Sequence, residues 1–285
     1  VMSLSKALTA AAGNAGGDNL YVEDVFSTYL YTGNDTDTNI VNGINLADEG
    51  GLVWIKSRQA AEGHRLIDSE WSLSANKYID SSSTTAPFSG PVVNTFNTDG
   101  FQLDSNWYGN SSDPQYGGDF ASWTFRKAEK FFDVVSGLTS DGSGNLPQFN
   151  HNLGSTPGCV IMKATDSGSN WVVFHKGLSA SGANQYIQLN STNAATNATG
   201  FGIATDTTFE VGAGSALVPS VTYVAYLFAS DAGGFGDDES IIKCGSYTGN
   251  GSTDGPEIDC GFEPQWLLIK VASGTTDQWV IFDTM

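Results

Sequence analysis

The side chains best suited to chemistry lie in one loop, Asp104-Ser-Asn-Trp-Tyr-Gly-Asn-Ser-Ser-Asp-Pro-Gln-Tyr-Gly-Gly118, where Trp107, Tyr108 and Tyr116 stand among amides and carboxylates. Such rings stack on the apolar faces of sugars while the polar groups bond to hydroxyls, so the loop is a candidate glycan-binding site. A second reading has the three rings packing against the sheet beneath them or against a neighbouring subunit. Asp35, Asp37 and Asn39 resemble part of a calcium loop, but the glycine and distant glutamate of an EF-hand are missing, and a polar turn accounts for them better. His64, His151 and His175 are scattered and no CxxC occurs, so they read as loop or strand-end residues, with no metal site. Cys244 and Cys260 flank Thr248-Gly-Asn-Gly-Ser-Thr-Asp-Gly255, a predicted hairpin turn across which they could face each other, or each is an ordinary strand residue like Cys159.

Catalytic patterns are absent from the sequence. A glycosidase needs two carboxylates roughly 5 to 10 Å apart, and among 31 Asp and Glu residues some pair will meet that distance by chance. No acidic pair recurs in the framework described next, and there is no GxSxG, HExxH or P-loop. The reading is a non-enzymatic protein without a cofactor.

The elements that carry these side chains repeat. Gly51-Leu-Val-Trp-Ile-Lys56, Gly158-Cys-Val-Ile-Met-Lys163 and Gln265-Trp-Leu-Leu-Ile-Lys270 place their lysines 107 residues apart, a domain-sized period well above the roughly 20 to 50 residues of solenoids and propellers. Before each core stands a strand ending in a turn: Tyr31-Thr-Gly-Asn34, Leu138-Thr-Ser-Asp141 and Tyr247-Thr-Gly-Asn250. After it comes a strand finishing on an acid or histidine: Arg65-Leu-Ile-Asp68, Val172-Val-Phe-His175 and Val280-Ile-Phe-Asp283. Two units continue further. Lys77-Tyr-Ile-Asp80 aligns with Gln185-Tyr-Ile-Gln188, Asp99-Gly-Phe101 with Thr199-Gly-Phe201, and the closing Ala121-Ser-Trp-Thr-Phe125 with Val224-Ala-Tyr-Leu-Phe228. The third unit has no counterparts beyond its second strand, so residue 285 is expected to fall inside a domain. The recurring Lys56, Lys163 and Lys270 read as strand-end residues with solvated ammonium groups.

Composition fits many short strands joined by turns, with 34 Gly and 15% charged residues. A net charge of −19 repels phosphate backbones, which argues against nucleic-acid binding. No apolar run is long enough to span a membrane. Short β-branched and aromatic runs bounded by Gly, Asn, Asp and Ser predict an all-β chain of tandem antiparallel β-sandwich domains, jelly-roll or lectin-like. The predicted organisation is an N-terminal arm at 1–22, sandwich repeats at 23–128 and 129–232, and an incomplete repeat at 233–285. Trp266 to Ile269, apolar on both faces, is expected to be a central, covered strand. The stretch Leu4 to Ala12 is too interrupted by Ser5, Lys6 and Thr9 for a signal peptide, a helix there is too short to be stable alone, and the arm is expected to dock onto a partner.

The ordered series of Gly51 to Lys56, Leu66 to Ser69, Asn97 to Phe101 and Ala121 to Phe125 resembles the repeated domains of tail-fibre and other virion surface proteins of marine bacteriophages. The resemblance runs from about residue 22 to the end. It implies a structural or adhesive role on the virion and brings no catalytic residues with it. The expectation is a tail fibre for host adsorption, made in the host cytoplasm and located in the tail or on the particle surface. It would be a homo-oligomer, a trimer, joined to other virion proteins through the arm and able to meet a host surface glycan, with no nucleic-acid partner and no membrane insertion. A carbohydrate-binding module array and a capsid decoration protein are the alternatives.

Overall fold

The structure, a computed structural model, describes residues 19–105, 107–115, 118–178, 185–198, 200–212 and 217–285, with Trp107 and Tyr108 described in their backbone alone. Short runs of β-branched and aromatic residues, cut by turn formers, make strands throughout. The first unit supplies β1 (Phe26–Thr32), β2 (Thr38–Val41), β3 (Gly51–Ser57), β4 (Arg65–Asp68), β5 (Lys77–Asp80), β6 (Phe88–Ser89), β7 (Val93–Asn97), β8 (Gly100–Leu103) and β9 (Asp119–Arg126). The second supplies β10 (Phe132–Thr139), β11 (Leu146–Asn150), β12 (Cys159–Ala164), β13 (Val172–His175), β14 (Gln185–Gln188), β15 (Thr196–Asn197), β16 (Phe201–Ala204), β17 (Thr208–Val211) and β18 (Thr222–Phe228). The third supplies β19 (Trp266–Ile269) and β20 (Val280–Asp283), and two single helical turns, α1 (Val22–Val25) and α2 (Trp107–Asn110), complete the described elements.

The fold is all-β, antiparallel and of sandwich type. A six-stranded sheet ordered β1-β9-β3-β4-β5-β6 faces a three-stranded sheet β2-β8-β7, and the second unit repeats this strand for strand as β10-β18-β12-β13-β14-β15 over β11-β17-β16. The topology corrects one alignment made on sequence. Phe101 on β8 pairs with Ile40, as Phe209 on β17 pairs with Phe149, so Phe209 is its counterpart. Phe201 lies on β16, one strand earlier. Both units carry a Gly-Phe pair with a buried ring, Gly100-Phe101 on β8 and Gly200-Phe201 at the start of β16. Gly202, beside Phe201, takes φ +76° at a break in the β16–β17 register, and a Cβ there would sit 2.1 Å from the Phe174 ring. Only glycine allows that close pass.

The six-stranded sheets are covered on both faces, which explains why their central strands read as unbroken apolar runs. Alternate residues point to opposite faces. Val53 and Ile55 of β3 enter the first unit's own sandwich core, while Leu52 and Trp54 enter a different core that joins the units. In β18, Tyr223, Ala225 and Leu227 line the second unit's own core and Val224, Tyr226 and Phe228 the joint one. The units are therefore fused through one apolar layer. Phe125 lies at its middle, with ring centroids 5.7 Å from Phe132, 5.6 Å from Phe228 and 5.5 Å from Trp266 of the third unit.

The contacts between units run in cyclic order. The three core hairpins share one register: Leu52, Cys159 and Trp266 sit opposite Asp68, His175 and Asp283. From the closing strands, Tyr226 of the second unit donates its hydroxyl to Asp68 of the first (3.0 Å), and Trp123 of the first donates its indole N–H to Asp283 of the third (3.0 Å). Trp171 of the second unit donates to the carbonyl of Asp80 in the first, and Trp279 of the third to the carbonyl of Gln188 in the second, at equivalent strand ends. Second touches first, third touches second and first touches third, a quasi-threefold arrangement within one chain.

Three expectations are corrected here. Cys244 and Cys260 are free thiols with no strand between them, so the predicted hairpin is absent. Trp266 to Ile269 belongs to a two-stranded ribbon and is only half-buried, because nothing lies on its second edge among the described residues. The recurring lysines are not solvated strand ends, for the reasons given below. Residues 1–18 of the arm lie outside the described residues. Leu20 and Val22 pack on the joint core, and the Leu20 carbonyl accepts the Gly236 N–H at 2.8 Å.

Because Phe125 joins all three units, Phe125→Ala is expected to cost about 3–5 kcal/mol in urea unfolding and to shift one cooperative transition seen alike by tryptophan fluorescence and far-UV circular dichroism. Two separate transitions with only one displaced would show that the cores are independent.

Candidate functional site

The candidate glycan loop is fixed by its backbone and by amides. Asn110, at the end of α2, is buried, and its side-chain amide donates to the carbonyls of Thr36 (2.6 Å) and Asp104 (3.0 Å) while its Oδ1 accepts the Asn34 N–H (3.2 Å). Tyr31, stacked on Phe120 at 5.2 Å, donates its hydroxyl to the Gly109 carbonyl at 2.7 Å. The loop is thus tied to the 34–37 turn at one end and to the sheet below at the other. The side chains of Trp107 and Tyr108, and the whole of Tyr116, lie outside the described residues. The backbone places positions 107 and 108 on α2, directly before Gly109, whose Cα approaches so closely that a Cβ would lie 2.6 Å from Val92.

The acidic turn beside it bonds to protein donors. Asp35 accepts the backbone N–H of Ser112 (3.1 Å) and the Ser112 hydroxyl, and these bonds hold its pKa below the usual carboxylate value. Asp37 accepts the Ser105 N–H at 2.9 Å, and the Asn39 amide oxygen faces Asn97 across β2 and β7 at 3.5 Å. Among the described residues no group of three or more His, Cys, Asp or Glu could hold a metal ion. No described helix is long and apolar enough to cross a membrane.

The more constrained polar set lies along the joint between units. Asp68 is fully buried: one carboxylate oxygen accepts the backbone N–H groups of Glu70, Trp71 and Ser72, and the other takes Tyr226. Burial still pushes its pKa up, against the lowering effect of those donors. Lys163 is fully buried too, and its ammonium donates to the carbonyls of Ser169 in its own unit and Ser83 in the first. Desolvation lowers its pKa to about 8. Lys270 repeats the pattern on the carbonyls of Asp277 (2.8 Å) and Thr192 of the second unit (2.9 Å). Among the described residues, Lys56 holds its own loop through the carbonyls of Ala60 and Glu62. Desolvation lowers the pKa of both. These lysines act as clamps on backbone carbonyls, since a buried ammonium must find acceptors.

The histidines are structural in the same sense. His64 accepts the Trp54 indole N–H at 2.8 Å and stacks on Trp123, and burial together with the nearby Lys56 charge lowers its pKa to about 4. His175 accepts the Gly177 N–H at 3.1 Å and is likewise lowered to about 4 by burial and then by Lys176. His151 accepts the Leu153 N–H. The joint residues Asp68, Tyr226, Trp123 and Asp283 were not singled out as a site on sequence. The signal was present, since each second strand ends on Asp or His and each closing strand carries a large ring at the same position.

Both low-pKa histidines stay neutral in the folded chain down to about pH 4, whereas in the unfolded chain they take up protons near 6.5. Stability is therefore expected to fall as pH drops from 6.5 to 4, and His64→Gln and His175→Gln should each flatten that slope in urea titrations. For Lys163 the folded chain gives up its proton at about 8 against 10.5 when unfolded, so stability should rise between those values, and Lys163→Met should remove the rise.

No curated protein and no solved structure matches this chain. A family profile described as a domain of unknown function (DUF7483) matches residues 22–285, the span that holds all three units. The chain belongs to that family.

Proposed function

We propose that this is a non-enzymatic structural protein of a bacteriophage virion, a tail fibre that attaches to other virion proteins through its N-terminal arm and presents its β-sandwich units for host adsorption. The observation that supports this reading is the joint core. A binding-module array works with units that fold and bind separately. Here Asp68 of the first unit is completed by Tyr226 of the second, and Trp123 of the first by Asp283 of the third. Units locked in this way suit a stiff element that transmits force from particle to host. A charge of −19 keeps such a surface soluble and away from nucleic acid.

In this reading the loop holding Trp107, Tyr108 and Tyr116 is where a host surface glycan would be met, and it stands on the first unit alone. Assembly is as a homotrimer. One chain already sets three units in cyclic order, so trimer contacts add avidity rather than complete the core.

The reading is tested by light-scattering mass with and without residues 1–18 and by labelling of particles with an antibody to the chain. A trimer that survives the deletion and label on the tail are the expected results. A monomer in both forms, with sugar affinity lost in Trp107→Ala, would replace it with a binding-module protein, and label spread over the head with a decoration protein.

A further inference from the structure

The outer strands of the first two units are blunted, with one exception. β6 and β15 are two residues long and β2 is four, while β7, β10, β11 and β16 each carry a break in register. Short strands, bulges and charges are the usual means of keeping a sheet edge from pairing with another chain. β1 has none of them. All seven residues, Phe26 to Thr32, pair with β9 in unbroken register, and the strand holds no charged residue and no proline.

Its outer side is equally regular. Gly33 donates to the Gly118 carbonyl at 2.8 Å, which fixes Tyr31, Tyr29 and Ser27 as the residues whose main-chain groups turn toward β9. Those of Thr28, Leu30 and Thr32 turn outward, and among the described residues β9 is the one strand that pairs with β1. The Phe26 N–H, next in that row, is taken by the Val22 carbonyl, so the open row starts at Thr28. Leu30, at its centre, is 40% exposed.

The sequence along that row reads the same in both directions: Thr28-Tyr-Leu-Tyr-Thr32. Two such strands laid antiparallel about a twofold axis at Leu30 match like with like. Leu30 faces Leu30, each Thr28 faces a Thr32, and each Tyr29 faces a Tyr31. Threonine pairs and aromatic pairs are favourable cross-strand neighbours, and no like charges meet. A self-complementary patch is what an isologous interface requires.

We propose that the β1 edge binds the β1 edge of a second copy of this chain, antiparallel and centred on Leu30. The outward main-chain groups of Thr28, Leu30 and Thr32 in each copy then pair with those of the other, and two six-stranded sheets become one continuous sheet. The leucines cover each other on one face, while Tyr29 and Tyr31, packed on the first unit's own core, adjoin across the seam on the other. Two chains each of charge −19 repel, with Asp24 and Asp35 just beyond the strand ends, so the pairing should strengthen as salt screens them. The contact is twofold and does not rest on the reading above, since it joins two chains whether they are single or belong to separate trimers.

The test is the mass of the full chain by light scattering over a dilution series, with amide exchange read along β1. The native chain is expected to associate in pairs, and exchange at Thr28, Leu30 and Thr32 to slow as concentration rises. Ser27, Tyr29 and Tyr31, already bonded to β9, should be protected at every concentration. Leu30→Lys sets two like charges face to face at the axis, as does Leu30→Glu, so each should weaken association about tenfold or more. An equimolar mixture of the two variants places opposite charges there and should associate again as mixed pairs. Association that neither variant weakens, or a mixture as weak as its parts, overturns the proposal. So does a native chain that stays unpaired at every concentration and salt. Slowed exchange at Thr28, Leu30 and Thr32 that is independent of concentration also overturns it, because the edge would then be covered within one chain.

Discussion

The structure depends on one constraint: the long sheet of each unit has two apolar faces, and its own short sheet can cover only one of them. Val53 and Ile55 are covered from within the unit, but Leu52 and Trp54 on the same strand are covered only when a second unit is laid against them. A sheet with a bare apolar face would expose more hydrocarbon than a soluble protein carries without a partner. Joining the units removes that surface, and Phe125, Phe132, Phe228 and Trp266 fill the layer with tilted and edge-on ring contacts.

An apolar joint has little to fix the orientation of the parts it joins. Here orientation comes from the few polar groups buried in it. Tyr226 and Trp123 each carry one polar atom on a large ring, and each finds a carboxylate at the end of a second strand in another unit. Lys163 and Lys270 reach carbonyls of the preceding unit. Leaving such groups unpaired costs far more than a paired one gains, so a rotated or shifted joint is penalised at several points at once. The same burial depresses the lysine and histidine pKa values and raises that of Asp68. The unusual titration therefore belongs to the joint and does not by itself mark a catalytic centre, although perturbed groups often do so elsewhere.

The sequence placed the strands and the repeat because both rest on short-range rules. Alternation, turn residues and the lysine interval of 107 residues are local patterns that survive without any knowledge of contacts. Even the double-sided burial of β3 and β12 was written in their unbroken apolar runs. The aromatic loop was also visible as composition, but its chemistry turns on where three rings point. The framework that can be followed there is the Asn110 amide and the Tyr31 hydroxyl.

What the tertiary structure alone decided is how the units meet. Nothing local distinguishes an ammonium that ends in water from one that ends on a carbonyl 80 residues away, as between Lys163 and Ser83, so the lysines looked solvated until the units were packed. Nor did the apolar run of Trp266 to Ile269 reveal that these residues are only half-buried in a two-stranded ribbon, because strand propensity belongs to a segment and coverage belongs to its neighbours. The sequence by itself determined an all-β chain of repeated units. Which faces those units share, and which polar groups lock them, follows from long-range packing, where one side chain's environment is set by residues more than a hundred positions distant, as Asp68 is by Tyr226 and Trp123 by Asp283.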